Sequence, residues 1–112
     1  MFKAHIWLKK KDGMSTEDFQ QHWLEKHAPI ARDGYEHLKG YVVNVATGAP
    51  KGQTLPYDGV AELWWASRAD LEAATAFPEG RQASLELLED ERRFIDLARS
   101  PLWIAEEVAI VP

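Results

Sequence analysis

His27 is the residue whose placement most invites chemistry. It follows Phe19 and Trp23 at intervals of four inside Met14–Pro29, a stretch that reads as one amphipathic helix. Residues four apart share a helix face, so His27 joins the apolar stripe of Phe19, Trp23 and Ile30 rather than the wet side. An imidazole there suits general acid/base catalysis. The helix C-terminus favours the charged ring and burial the neutral one, and the opposition points to titration near neutral pH. The competing assignment is a structural histidine that closes the helix end on a backbone carbonyl. Glu62, the acid central to the third strand, is the second candidate. It could act as a base or hold His5, with its pKa raised in a partly apolar cavity. Otherwise it is a carboxylate paired with an arginine in a subunit interface.

His5, Trp7, Tyr41, Asn44 and Trp64 are the candidate substrate contacts. Trp7 and Trp64 offer flat walls for a planar substrate or, equally, bulk for an interface. His5 is a ligand contact or a polar interface residue. Asp96 is expected to organise its own loop through backbone N–H groups or Arg99, and Arg99 to orient an anionic substrate if that loop folds over the cavity. His22 lies five residues before His27 and should point elsewhere, so no two-histidine metal clip is expected on this helix. His22 and His37 read as surface residues, and no metal is assigned.

The elements that must position these groups follow from periodicity and turn residues. Phe2 to Lys9 alternates as a strand. The first helix runs from about Ser15, its N-cap, with Asp18 completing a weak capping box. It should stop within a residue or two of His27, because Pro29 lacks a backbone donor and disfavours helix at Ala28. Leu38 to Thr47 is a second strand, broken by Gly48-Ala49-Pro50-Lys51-Gly52. Asp58 to Trp65 is a third. Ser67 and Asp70 cap a helix from about Ala69 to Ala76, which Pro78 and Gly80 interrupt. More helix follows from about Arg81 to Arg93, then a last strand from Leu102 to Val111.

The order βαββαβ is the ferredoxin-like split βαβ pattern of an α+β fold, with an antiparallel four-stranded sheet in the order 4-1-3-2. Both helices cover one face, which Ala61, Leu63 and Trp65 should supply. His5, Trp7, Asn44, Glu62 and Trp64 fall on the uncovered face, too aromatic for water and too polar for plain core. Two such sheets packed face to face form a homodimer enclosing a cavity. Chain topology is expected to bring His5, His27, Tyr41 and Trp64 near one another at one end of it.

Composition narrows the classes. The chain has 112 residues and 46% hydrophobic content, which fits a single domain over 1–112 with a small core. A net charge of -5 argues against nucleic acid, and the basic run Lys9-Lys10-Lys11 reads as a solvated strand exit. The absence of cysteine removes disulfides and thiolate nucleophiles. No apolar run reaches bilayer length, and the start does not read as a signal peptide, so no membrane partner and a cytoplasmic location are expected. Five tryptophans are many for this length, and some should line a cavity.

Three segments resemble the EthD family, named after a bacterial ethyl tert-butyl ether degradation cluster. They are Met14-Ser15-x-Glu17-x-Phe19 running to Trp23-Leu24-x-x-His27-Ala28-Pro29, then Tyr57-Asp58-Gly59-Val60-Ala61-Glu62-Leu63-Trp64, and Phe94-Ile95-Asp96-Leu97-Ala98-Arg99-Ser100-Pro101. The resemblance implies a dimeric α+β barrel. Similar small barrels include a methylmuconolactone isomerase, fungal polyketide dehydratases and decarboxylases, and cofactor-free quinone-forming oxygenases. The isomerase has a histidine matching His27, but also a cysteine that this chain lacks.

These residues together suggest a small cofactor-independent enzyme acting by proton transfer on a hydrophobic, cyclic or aromatic, oxygenated metabolite. Isomerisation, dehydration, decarboxylation and cofactor-free oxygenation are all compatible. His27 moves the proton, Glu62 assists and the tryptophans position the ring. The rival class is a binding module that carries or shields such a metabolite, or an accessory subunit of a degradation pathway. A third is haem binding through a histidine.

Overall fold

Alternating apolar side chains set the sheet. In the computed structural model, which describes residues 1–76 and 78–112 and all their side chains except those of 78 and 79, β1 spans Phe2–Leu8, β2 Gly40–Val45, β3 Gly59–Trp65 and β4 Leu102–Glu106. All pairings are antiparallel, in the order β2-β3-β1-β4. This is the expected 4-1-3-2 order. In β3 every odd-numbered residue is buried, so Ala61, Leu63 and Trp65 face the helices. Their cross-strand partners Ala4, Ile6 and Tyr41 share that face, while His5, Glu62 and Trp64 share the other.

The helical layer lies on the Ala61/Leu63/Trp65 face. It comprises α1 (Thr16–His22), a π-helical turn (Trp23–His27) and α2 (Ala28–Gly34), then α3 (Arg68–Ala76) and α4 (Pro78–Phe94). Ser15 Oγ accepts from the Asp18 N–H at 3.1 Å, and Ser67 Oγ from the Asp70 N–H at 3.1 Å, so both expected caps form. α3 ends at Ala76 ahead of Pro78, as expected, but Gly80 does not interrupt: Pro78 opens α4, where its missing donor is harmless, and α4 runs on through Gly80. A Cβ at Gly34 would lie 2.5 Å from Ala83 Cβ, so glycine lets α2 and α4 approach closely.

The core joins Leu8, Phe19, Trp23, Leu63, Trp65 and Phe94. No described helix is long and apolar enough to cross a membrane.

Several boundaries differ from expectation. The last strand stops at Glu106, not Val111, because Glu106 pairs with Phe2 and β1 offers nothing further beyond the Glu107 N–H to Met1 carbonyl bond of 2.9 Å. The lysine run is not merely solvated. Lys10 Nζ donates to the Met14 carbonyl at 2.8 Å, and its backbone N–H to Asp58 Oδ2 at 2.7 Å.

Candidate functional site

The first helix does not stop at His27. It widens into a π turn and continues as α2 to Gly34, with the Ala28 N–H bonding the Trp23 carbonyl five residues back. Pro29 has no N–H to give, and its ring would collide with a carbonyl four residues earlier in a regular helix. The wider turn absorbs both problems, leaving Pro29 in the first turn of α2. The same turn corrects the reading of His22. Five residues separate two side chains by about 140° on an α-helix, but the looser winding closes much of that gap. His22 and His27 therefore converge on one carboxylate, that of Asp90 in α4.

Asp90 Oδ2 lies 2.8 Å from His27 Nδ1, and both Asp90 oxygens lie 3.0 Å from His22 Nε2. Burial alone would raise the Asp90 pKa, but its bonds to His27 and His22 outweigh burial and hold it below the usual carboxylate range. An ionised carboxylate only accepts, so His27 donates through Nδ1 and leaves Nε2 as the free basic nitrogen. The His27 ring is 6% exposed, and burial lowers its pKa despite Asp90. The Phe94 ring lies 4.6 Å from the His22 ring and 4.9 Å from that of His27, centroid to centroid, and fixes both. His27 Nε2 faces Glu91 Oε1 at 3.8 Å. Burial, with help from the Asp90 charge, pushes Glu91 up to about 7.

His27 and Glu91 stand in the wall of a cavity of about 360 Å³ between the sheet and the helices. Ala4, Ile6, Leu63 and Trp65 form its floor, and Trp23, Tyr35 and Tyr41 add further wall. Among the described residues lining it there is no lysine or arginine. Leu102 and Ile104 line it yet are 59% and 47% exposed, which marks the mouth at β4, the strand left without helical cover. Tyr35 Oη is tied to Ser84 Oγ at 2.7 Å. Burial pushes the Tyr41 phenol up to about 12, so Tyr41 stays a donor at all ordinary pH values.

The residues singled out in the sequence divide between two faces. His27 and Tyr41 line the cavity. His5, Trp7, Asn44, Glu62 and Trp64 share the uncovered face, as the alternation predicted, but that face is not the one with this cavity. The expected cluster of His5, His27, Tyr41 and Trp64 is therefore split by the sheet. Tyr41 sits opposite Leu63 on the helical side, and Trp64 opposite Gly40 on the other.

Glu62 does hold His5, at 3.2 Å, but it also accepts from Asn44 Nδ2 at 3.0 Å and faces Lys3 Nζ at 3.6 Å. Burial is outweighed by these partners, and its pKa falls rather than rises. Trp7 packs with Tyr57 and Trp103 at 5.6 and 5.5 Å between ring centroids. Lys3 Nζ stands 4.9 Å over the Trp64 ring. Asp96 organises its loop mainly through its carbonyl, which accepts from Ser100 Oγ at 2.7 Å, with Arg99 3.9 Å from its carboxylate. Neither Asp96 nor Arg99 lines the cavity.

Asp90 and Glu91 were not foreseen. A signal existed: Ala83, Leu87, Asp90 and Phe94 recur at three- and four-residue intervals, which puts a carboxylate on the apolar stripe of α4 as His27 is on that of the first helix. Among the described residues, no group of three His, Cys, Asp or Glu is arranged to hold a metal ion.

Comparison with known proteins bears on this geometry. The EthD domain matches residues 11–98. No curated protein is significantly similar in sequence. An EthD family protein of Bacillus halodurans superposes with a TM-score of 0.72 at 23% identity, over 96% of this chain and 100% of the other. An EthD-like protein of Ralstonia eutropha gives 0.70 at 17% identity, over 98% and 94%. A dimeric ferredoxin-like protein of Thermobifida fusca gives 0.64 at 14% identity, over 93% and 88%. At these identities the structural likeness establishes a common fold.

Proposed function

Proceeding from a chain that belongs to the EthD family, we propose that this protein is a small enzyme that moves protons, without a cofactor, on a hydrophobic, cyclic or aromatic, oxygenated metabolite. The observation that carries this reading is the pairing of His27 Nε2 with the Glu91 carboxyl at 3.8 Å in the wall of an otherwise apolar cavity. Burial favours the neutral form of each group, so a base and an acid stand side by side. His27 takes a proton from a carbon or hydroxyl of the substrate, and Glu91 gives one back elsewhere on it. Enolisation and isomerisation need only that exchange. Dehydration and decarboxylation add a leaving group. Asp90 holds the imidazole in the required tautomer.

A carrier would use the same apolar lining. It would gain nothing from a carboxyl whose burial is unfavourable, and Glu91 is what favours catalysis.

The test is the pH profile. Activity should rise as His27 loses its proton, below the ordinary histidine value of 6.5, and fall as Glu91 ionises near pH 7. Glu91→Gln should abolish the alkaline limb. It should also stabilise the fold at high pH. Below the unfolded pKa of 4.5 both states carry the Glu91 proton, whereas between 4.5 and about 7 only the unfolded state ionises, so stability falls across that window. The gain from Glu91→Gln at pH 8 should be on the order of 2–3 kcal/mol and vanish by pH 4. An alkaline limb that persists in Glu91→Gln would refute the assignment.

The uncovered face completes the reading. Its Trp7, Tyr57 and Trp103 cluster beside the Lys3, His5 and Glu62 network fits a second copy of the chain, closing two sheets into a barrel. Light scattering should return twice the chain mass at micromolar concentration. A stable monomer would remove this part of the proposal.

A further inference from the structure

The Asp90 carboxylate carries two histidines, and the proton transfer proposed above uses only one of them. His22 Nε2 lies 3.0 Å from both Asp90 oxygens, and His27 Nδ1 lies 2.8 Å from Oδ2. An ionised carboxylate only accepts, so both rings donate to it. Burial divides the three side chains. Those of His27 and Asp90 are 8% exposed and that of His22 is 21% exposed. The His22 ring stacks on Phe94, with 4.6 Å between centroids and 29° between planes, which sets its Nε2 against Asp90. Its other nitrogen, Nδ1, has no protein partner among the described residues and is not sealed from water. His22 lines a shallow groove along the first helix, shared with Asp18, Glu25 and Lys26. One imidazole therefore borders water and the other the cavity, with a single buried carboxylate bonded to both.

We infer that His22 is a positioning residue for His27, acting through Asp90: it aims the shared carboxylate and couples the protonation of the outer surface to that of the cavity. Alone on His27, the Asp90 charge would hold a proton on the imidazole and spoil it as a base. A proton taken from water at His22 Nδ1 sets a positive charge on the far side of the same carboxylate. That charge competes for Asp90 and repels a proton on His27. Burial is the main cause of the lowered His27 pKa and Asp90 opposes it, while the His22 charge adds to the lowering. Asp90 stays ionised throughout, so no proton passes along the chain. The two histidines titrate as a coupled pair. The other charges around them are Glu91, 3.8 Å from His27 Nε2, Arg93, 3.4 Å from Asp90 Oδ1, and the Asp18, Glu25 and Lys26 of the groove. From the sheet, the described cavity lining brings only the Tyr41 phenol. His22 thus keeps Nε2 of His27 open to a substrate proton in mild acid. This inference rests on the proton-transfer reading for its effect on turnover, but not for the coupling.

The test follows the four histidine rings by NMR while the pH is varied, with the full chain labelled at its imidazoles. His27→Gln and His22→Gln identify the two signals. In the wild-type protein the His27 curve should bend where His22 titrates, so that the pair cannot be fitted as independent sites. Glutamine at position 22 can still donate to Asp90 but cannot charge. In His22→Gln the His27 titration should therefore move to higher pH by roughly 0.5–1.5 units, the range for a unit charge lost a few ångströms away. The acid limb of turnover should move with it. A histidine that only braced Asp90 would leave both where they are, because glutamine replaces the bond. An unmoved His27 titration in His22→Gln would overturn the inference. If that variant fails to fold, the wild-type curves decide, and two independent titrations would overturn it as well. A His27 titration that moves while the acid limb stays would uphold the coupling and defeat the proton-transfer reading.

Discussion

His27→Gln should lower turnover of the substrate by a factor on the order of 10²–10⁴ while the protein stays folded. Glutamine matches the reach of the imidazole and can still donate to Asp90, but it has no nitrogen that titrates. The control is built into the site, because His22 also bonds Asp90 at 3.0 Å and keeps that buried carboxylate partnered. The effect should fall on kcat rather than KM, since in the proposed reaction the ring acts on the proton in flight and contributes little to holding an apolar substrate. Equal turnover by the variant and the wild type would assign His27 a purely structural role. Circular dichroism and an unchanged denaturation midpoint are needed beside the rate, to show that any loss is chemical.

The largest loss of stability is expected for Phe94→Ala, about 3–5 kcal/mol. Phe94 is completely buried at the end of α4. Its ring meets Phe19 at 5.6 Å between centroids and both histidines within 5 Å, so it joins the first helix to α4 where Asp90 crosses between them. Truncation removes the aromatic contacts and opens a void beside a buried ionic group, which water would enter. Urea denaturation should show the midpoint fall by the corresponding amount. A cost below about 1 kcal/mol would mean that α4 relaxes into the gap and that Phe94 is not the clamp the geometry makes it. Phe94→Leu should retain most of the stability and isolate the effect on the histidines.

The sheet was legible because side-chain alternation is a strong local signal: Ala61, Leu63 and Trp65 declared their face and thereby that of Glu62 and Trp64. His27 was legible as an ionisable ring on an apolar stripe. The helix end was misread because Pro29 was weighed as a breaker, and its harmless placement in a first turn depends on a π turn that leaves no compositional mark. Asp90 and Glu91 were hidden in Glu89-Asp90-Glu91, which looks like a solvated charge run unless each residue is placed against Leu87 and Phe94. The cavity that holds His27 went unforeseen for a different reason: it lies on the helical side of the sheet, not on the uncovered face. Alternation reveals which face is apolar but not whether it is filled, and here two helical arms leave β4 uncovered, so the apolar side is partly empty.

The π turn at Trp23–His27 makes the histidine–carboxylate pair, and with it the proposed chemistry, depend on chain length as well as on residue identity. Its winding holds one residue more than a regular helix would over the same rise. A descendant that lost a single codon here could relax to ordinary winding, keep its sheet and its fold, and swing the imidazole away from Asp90. Such a chain would still read as an EthD protein, with the histidine present and its bond to Asp90 gone. When these sequences are sorted into active enzymes and silent relatives, a one-residue gap in this segment therefore deserves more weight than most substitutions around the cavity.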